Sequence, residues 1–143
     1  MIKNITVNNL DGAKVNLIKE YKGKPLLLIF YNNKCLGCTG RAIPLAYRYQ
    51  QEYCTLQVIG IHSNFGGEKV SKEEIKNIFT RKELPFPIYI DENHKVYDNF
   101  NCEGTPQWIL LTSNGEVLRS IFGSQLGVQN RLLYALEELI LKL

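Results

Sequence analysis

Two cysteines separated by two residues, in the run Cys35-Leu36-Gly37-Cys38, carry the clearest chemical signal in the sequence. At this spacing the two sulfurs can close into a disulfide and reopen with little movement of the backbone. In thiol–disulfide exchange, one thiolate attacks a disulfide and a second thiol resolves the mixed disulfide that forms. The spacing therefore indicates redox exchange, provided that the flanking segments place the pair in a suitable environment.

The flanking segments predict a strand before the pair and a helix after it. Residues 26–31 are a continuous apolar run, typical of a strand that is buried on both faces. Apolar residues then recur at helical spacing over residues 42–53. The pair therefore lies directly after a buried strand and at the start of a helix.

A helix N-terminus favours thiol chemistry because its unpaired N–H groups and partial positive charge stabilise a thiolate. Lys34 adds a second cation beside the first cysteine. In such a turn the first cysteine tends to be exposed, and the second lies under the helix. We therefore expect Cys35 to be the nucleophile and Cys38 to be the resolving thiol.

The other segments predict an α/β domain: a central sheet with helices on both faces and an N-terminal β-hairpin. Asn-Gly between two β-rich runs is a strong signal for a second hairpin near the end of the chain. The predicted elements are a hairpin over residues 5–17, a strand over 56–61, a helix over 72–82 capped by Ser71, a strand over 88–90, a hairpin over 108–121, and an amphipathic helix over 126–143. The packed side of the last helix would carry Leu132, Leu133, Leu136, Leu139, Ile140 and Leu143.

Composition excludes several classes of protein. The chain has 143 residues, 45% of them hydrophobic and 22% charged, which suits one globular domain over residues 1–143 and neither disorder nor a coiled coil. A formal net charge of +3 is too small and too scattered for a nucleic-acid-binding face. Four cysteines in a chain of this length are too few for a disulfide scaffold.

The sequence also bears on location. No apolar run approaches the roughly 20 residues that a membrane-spanning helix needs. The opening run Met1-Ile2-Lys3-Asn4 lacks the apolar core and cleavage site of a secretory signal. We therefore expect no membrane span and a cytoplasmic location, or a periplasmic or exported one if a leader has been removed.

Several segments together resemble the thioredoxin-like superfamily, and within it the thiol–disulfide oxidoreductases of the TlpA/ResA type and the AhpC/TSA group. This resemblance covers most of the chain, and it implies a thioredoxin-like fold with a central mixed β-sheet. The segments that carry it are Gly23-Lys24-Pro25 with the strand that follows, the cysteine motif, and residues 58–63, 86–91 and 104–111 with the turn at Asn114-Gly115.

The resemblance also implies a substrate site. Pro106 would follow a cis peptide bond and lie against the cysteine pair, and Thr105 would offer backbone groups to an extended substrate peptide. The implied partners are protein disulfides or dithiols and a thiol electron donor, and no cofactor is implied.

Three positions depart from the pattern of the family. Lys34 stands where the family usually has Trp, and Ile29 stands where thioredoxins have a buried Asp that assists proton transfer. Pro44 comes six residues after Cys38 instead of five, which predicts a kink or a late helix start. Lys34, Glu103 and water are therefore the candidates for the acid–base role. The Leu-Gly dipeptide leaves the direction of electron flow open.

A thiol peroxidase of the AhpC/TSA type is the competing enzymatic hypothesis. Peroxiredoxins carry Pro-x-x-x-Thr-x-x-Cys. Counted back from Cys38, the Pro and Thr positions hold Tyr31 and Cys35; counted back from Cys35, they hold Leu28 and Asn32. Because neither register fits, disulfide exchange is favoured over peroxide reduction.

A non-catalytic thioredoxin-fold protein that binds metal or a partner is the remaining alternative. Structural zinc takes four ligands, so Cys54 or Cys102 with His62 would have to join the pair. We interpret Cys54 as a buried, unreactive thiol and Cys102 as a residue without a resolving role, although it lies near Pro106 in sequence. His62 and His94 are interpreted as loop histidines without a chemical role.

Overall fold

A seven-stranded mixed sheet is the centre of the structure, a computed structural model that describes residues 1–141. The strands, numbered in chain order, are β1 (Thr6–Asn8), β2 (Lys14–Asn16), β3 (Leu26–Tyr31), β4 (Gln57–Ser63), β5 (Ile88–Asp91), β6 (Gln107–Leu111) and β7 (Val117–Phe122). The helices are α1 (Leu17–Glu20), α2 (Ile43–Glu52), α3 (Lys72–Asn77), α4 (Lys95–Asn99) and α5 (Leu126–Leu141).

The spatial order of the strands is β2-β1-β5-β4-β3-β6-β7. β3 pairs in parallel with β4, and β4 in parallel with β5. β6 lies antiparallel to β3 on its other side, and β7 lies antiparallel to β6. β3 is thus a central strand with a neighbour on each side, and its carboxyl end leads into the cysteine motif.

Both faces of the sheet are covered. Leu27, Ile29 and Tyr31 of β3 pack into one apolar cluster with α2, α3 and α5. Leu28 and Phe30 point to the opposite face, where α1 and α4 contribute to a second cluster. The predicted mixed sheet with helices on both faces is confirmed, and so is the burial of β3 on both sides.

The predicted N-terminal hairpin is confirmed, with Val7 opposite Val15 in the β1–β2 pair. Its return strand is shorter than expected, because Leu17 begins α1 instead of extending the strand. The side chain of Asn16 accepts the N–H of Ile18, and this cap starts the helix.

The predicted helix over residues 72–82 is also shorter in the structure. Its start is confirmed: the Ser71 hydroxyl accepts the N–H of Glu74 at 3.1 Å, and the Glu74 carboxylate accepts the N–H of Ser71 at 3.3 Å. The helix ends at Asn77. A separate short turn follows, in which Arg81 has a φ of 60°, outside the helical range.

The last helix is confirmed as far as Leu141, and the predicted residues Lys142 and Leu143 lie outside the described residues. Leu132, Leu136 and Leu139 pack into the first cluster as expected. Leu133 and Ile140 are 40% exposed, so the apolar face of the helix is wider than the surface that covers it. Among the helices of residues 1–141, none combines the length and apolarity that crossing a membrane would need.

Close packing of β4 against its neighbours gives a test of the fold. A Cβ atom on Gly60 would lie 2.9 Å from Phe86 and 3.1 Å from Ile88. We predict that Gly60→Ala lowers the free energy of unfolding by about 1–3 kcal/mol, because overpacking forces these side chains to move. Urea denaturation measures this change.

Gly127 of α5 is the matched control, since a Cβ atom there would meet nothing within 4 Å. Gly127→Ala should raise the free energy of unfolding by about 0.5–1 kcal/mol through helix propensity. Equal effects of the two substitutions would contradict the packing described for Gly60.

Candidate active site

The cysteine motif occupies the turn that joins β3 to α2. A π-helical turn over Cys38–Ala42 precedes α2, which begins at Ile43, with Pro44 in its first turn. The late helix start predicted from Pro44 is thus confirmed. Because a π-helical turn holds more residues than an α-helical turn, it accommodates the extra residue between Cys38 and Pro44.

The two thiols are free and differ in exposure: Cys35 is half-buried, and Cys38 is fully buried. The N–H of Cys38 donates to the sulfur of Cys35 at 3.2 Å. Burial, together with a hydrogen bond to Cys35, raises the pKa of the Cys38 thiol to about 12. Cys38 is therefore held as a neutral thiol directly beside the more accessible Cys35.

Thr105 and Pro106, which the resemblance placed at the site, lie beside the pair. The Cys35 thiol donates to the carbonyl oxygen of Thr105 at 3.4 Å, and the Thr105–Pro106 peptide bond is cis. Pro106 reaches the motif as well, since a Cβ atom on Gly37 would lie 3.9 Å from its Cδ. The structure therefore brings all four of these predicted site residues together.

Lys34 and Glu103, the two side chains considered for the acid–base role, lie in different surroundings. Lys34 lines an open groove of about 510 Å³ beside Cys35, and its ammonium lies 3.6 Å from a carboxylate oxygen of Glu68. Glu103 is exposed and does not line this groove; its backbone N–H donates to the side chain of Gln107. Of these two side chains, only Lys34 borders the groove.

Sequence reasoning did not identify Asn32 and Glu68 as residues of the site. The buried side chain of Asn32 donates to the carbonyl of Ser63 at 2.9 Å and to Glu68 at 2.6 Å, and it accepts the N–H of Lys34. The available signal was local: asparagine after a strand commonly folds its side chain onto the backbone two residues ahead. No comparable signal links Glu68, which reaches the groove from a distant loop.

Glu68 supplies a carboxylate at the groove. Burial opposes its ionisation, but hydrogen bonds from Asn32 and from the N–H of Phe65 favour the charged form, as does the nearby Lys34 ammonium. These interactions hold the pKa of Glu68 below its usual range. The groove beside Cys35 therefore carries a paired charge of each sign.

His62 is not a loop histidine, as the sequence suggested; it is a buried residue of β4. Its Nε2 atom accepts the N–H of Asn33 at 3.1 Å, so the ring proton is assigned to Nδ1, which donates to Asn64 at 2.7 Å. Burial lowers the pKa of His62, against opposing effects from Asn64, Glu68 and Glu74. Neutral His62 thus holds the backbone just before the cysteine motif.

The other two cysteines lie away from the pair. Cys54 is exposed, so the prediction that it is buried is wrong: it lies beyond the end of α2, in the turn before β4. Cys102 packs against the second cluster, whereas Cys38 belongs to the first. Within the part of the chain that the structure describes, no group of three or more His, Cys, Asp or Glu side chains could hold a metal ion.

Comparisons with known proteins agree with this geometry. A model of the AhpC/TSA family matches residues 1–122. The thiol-disulfide oxidoreductase ResA of Bacillus cereus is 26% identical over 124 residues, which are 85% of this chain and 68% of that protein. The protein DipZ of Mycobacterium tuberculosis is 30% identical over 118 residues, which are 80% of this chain but 17% of DipZ.

A solved structure from Chlorobium tepidum, described as a thiol:disulfide interchange protein DsbE, shares the fold. It superposes with a TM-score of 0.79 at 17% identity, over 96% of this chain and 93% of that one. The thioredoxin-like fold that the resemblance implied is thus confirmed.

The neutral state of His62 predicts a pH dependence of stability. In the unfolded chain, histidine titrates near pH 6.5, whereas burial lowers the pKa in the folded protein. The unfolded state therefore binds the extra proton first as the pH falls, and the free energy of unfolding decreases below about pH 6.5. Urea denaturation between about pH 7.5 and pH 5.5 measures this loss.

The control is His62→Gln, which keeps a polar side chain without a titrating group. The variant should lose stability at pH 7.5 and show a shallower pH dependence than the parent protein. An identical pH dependence in the two proteins would contradict the assignment of a buried neutral imidazole.

Proposed function

The chain belongs to the AhpC/TSA family as a thioredoxin-like thiol–disulfide oxidoreductase, and we propose that it exchanges disulfides with protein substrates through Cys35 and Cys38. One observation carries this proposal: the two thiols are adjacent but unequal. Cys35 lines a groove at the surface. Cys38 is buried beside Cys35, and burial raises the pKa of its thiol to about 12. We also propose that residues 1–143 form the one domain that performs this exchange.

The reaction has two steps. In the first, the Cys35 thiolate attacks a substrate disulfide; a bond forms between Cys35 and one substrate sulfur, and the other substrate sulfur leaves as a thiolate. In the second, deprotonated Cys38 attacks the sulfur of Cys35, the Cys35–Cys38 bond forms, and the remaining substrate sulfur leaves. The substrate gains two electrons and two protons, and the protein pair is oxidised. A thiol electron donor reverses both steps on the protein.

Unequal exposure assigns the order of attack. A substrate sulfur can approach Cys35 from the groove, but the fully buried Cys38 can meet only a sulfur already attached to Cys35. The high pKa of Cys38 also keeps its proton in place until the mixed disulfide has formed. We therefore assign Cys35 as nucleophile and Cys38 as resolving thiol.

We propose Thr105 and Pro106 as the platform for the substrate chain. The carbonyl of Thr105 lies at the Cys35 sulfur, so a peptide that added its backbone beside Thr105 would bring its own sulfur near Cys35. The carbonyl of Pro106 is occupied, since it accepts the N–H of Gly123 at 2.9 Å.

Substitution of each cysteine tests the assigned order. Cys35→Ser should abolish disulfide exchange, because no accessible thiolate remains in the motif. Cys38→Ser should form mixed disulfides with protein substrates and accumulate them, because nothing resolves the first adduct. Insulin reduction measures exchange, and non-reducing electrophoresis with mass spectrometry identifies adducts on Cys35.

Cys54→Ser is the matched control, since Cys54 is exposed but lies outside the motif; it should retain full exchange. Full activity in Cys35→Ser would overturn the proposed nucleophile, and an absence of adducts in Cys38→Ser would overturn the resolving role. Peroxide consumption without insulin reduction would favour the peroxidase alternative.

A further inference from the structure

A tight turn after β4 forms one wall of the groove beside Cys35. Residues 65–68 make this turn, in which the N–H of Glu68 donates to the carbonyl of Phe65 at 3.0 Å. The two glycines at its centre have φ values of 60° and 73°, in the left-handed region that glycine adopts readily. The turn brings the side chain of Phe65 to the same groove that Cys35 lines.

The ring of Phe65 is held by two other rings. Its centroid lies 5.2 Å from that of His94, at an interplanar angle of 35°, and 5.1 Å from that of Tyr97, at an angle of 86°. The backbone N–H of Phe65 also donates to the Glu68 carboxylate at 3.2 Å. Phe65 is half-buried, so its ring packs against these neighbours and still lines the groove. Because the ring is already held in place, using it as a binding surface costs little conformational entropy.

The charged and amide side chains that border the groove are paired with each other. The Lys34 ammonium lies 3.6 Å from the Glu68 carboxylate, which also accepts a hydrogen bond from the Asn32 side chain at 2.6 Å. The side-chain oxygen of Asn32 accepts the N–H of Lys34 at 2.9 Å. A charged side chain entering the groove would have to compete with these interactions. An apolar side chain would instead cover the Phe65 ring and release water from it.

We propose that Phe65 is a specificity-determining residue, and that the groove binds an apolar side chain, above all an aromatic one, close to the substrate cysteine. The inference rests on the proposed exchange function and names the class of disulfide that the site prefers. An aromatic side chain of the substrate would pack against the Phe65 ring in an edge-to-face or offset arrangement.

The position of the nucleophile relative to the groove determines which substrate residue is bound. A substrate disulfide must bring one sulfur to Cys35, and Thr105, the proposed platform for the substrate chain, lines the same groove. In an extended chain, side chains two positions apart point to the same side. A chain that directs its cysteine at Cys35 therefore directs the residue two positions away toward this side as well, where Phe65 lies.

The reaction used as a test is the reduction of a peptide disulfide. The Cys35 thiolate attacks one peptide sulfur, a bond forms between them, and the other peptide leaves as a thiolate. Deprotonated Cys38 then attacks the sulfur of Cys35, and the first peptide leaves as a thiolate. The two electrons and two protons that the protein pair loses are gained by the two peptide thiols. The groove acts in the first step, in which the peptide disulfide binds.

Matched peptide disulfides measure the preference. Each is a symmetric disulfide of a serine-rich peptide with one cysteine and with Phe, Ala or Glu two positions before or after it. The reduced protein carries Cys54→Ser and Cys102→Ser, so that only the motif reacts. Acid quenching and mass spectrometry give the second-order rate constant, which is divided by that of the same peptide with dithiothreitol to correct for its intrinsic reactivity.

We expect the Phe peptide to react about three- to tenfold faster than the Ala peptide at one of the two positions, and the Glu peptide to react no faster than the Ala peptide. Phe65→Ala should bring the ratio of the Phe and Ala rates to within about twofold of one, because it removes the ring. Phe65→Leu keeps an apolar wall and should give an intermediate ratio. It also preserves the test if Phe65→Ala fails to fold.

Tyr134→Ala is the matched control. Tyr134 is an aromatic residue of α5 that is 72% exposed and does not line the groove. Its substitution should leave the ratio of the Phe and Ala rates unchanged.

Equal rates for the Phe and Ala peptides in the parent protein, or a faster reaction of the Glu peptide, would overturn the proposed subsite. So would a ratio that persists in Phe65→Ala, including the case in which all peptides react more slowly by the same factor. A parent protein that reacts with none of the peptide disulfides would instead contradict the proposed exchange function itself. The two failures are therefore distinguishable in the same experiment.

Discussion

The burial of Cys38 beside Cys35 is the constraint on which the rest of the site depends. A thiol with no exposed surface and a pKa raised to about 12 cannot begin an exchange, but it can finish one when a disulfide forms next to it. This burial exists because the motif follows β3, a strand covered on both faces, and leads into α2, which packs over the first cluster. The difference in reactivity between Cys35 and Cys38 thus follows from the position of the motif at the carboxyl end of β3.

The strand order then determines which groups meet at the pair. β4 runs parallel to β3 on one side, so its carboxyl end brings His62 and Ser63 to the segment before the motif. β6 runs antiparallel on the other side, so its amino end brings Thr105 and Pro106 to the cysteines. β4 thus supports the turn that leads into the cysteine motif, and β6 presents the residues proposed to bind a substrate chain.

Local patterns in the sequence predicted those elements of the fold whose formation depends on residues close together in the chain. The apolar run of β3 and the capping box at Ser71 are signals of this kind, and both are confirmed. Three features depend on tertiary packing, which no local pattern records. They are the early end of α3 at Asn77, the exposure of Cys54 and the burial of His62. The same reason explains why the sequence did not identify Glu68 as a residue of the site. About thirty residues separate Glu68 from the cysteine motif, and it is the parallel pairing of β3 with β4 that places the loop after β4 beside that motif.

Redox titration of the Cys35–Cys38 pair tests the central claim most directly. The protein is equilibrated in glutathione buffers, and alkylated thiols are counted by mass. We predict one reversible two-electron transition in which both thiols are lost together, at a potential between roughly −270 and −120 mV. Independent oxidation of the two cysteines, or a pair that never closes, would contradict thiol–disulfide exchange at this site.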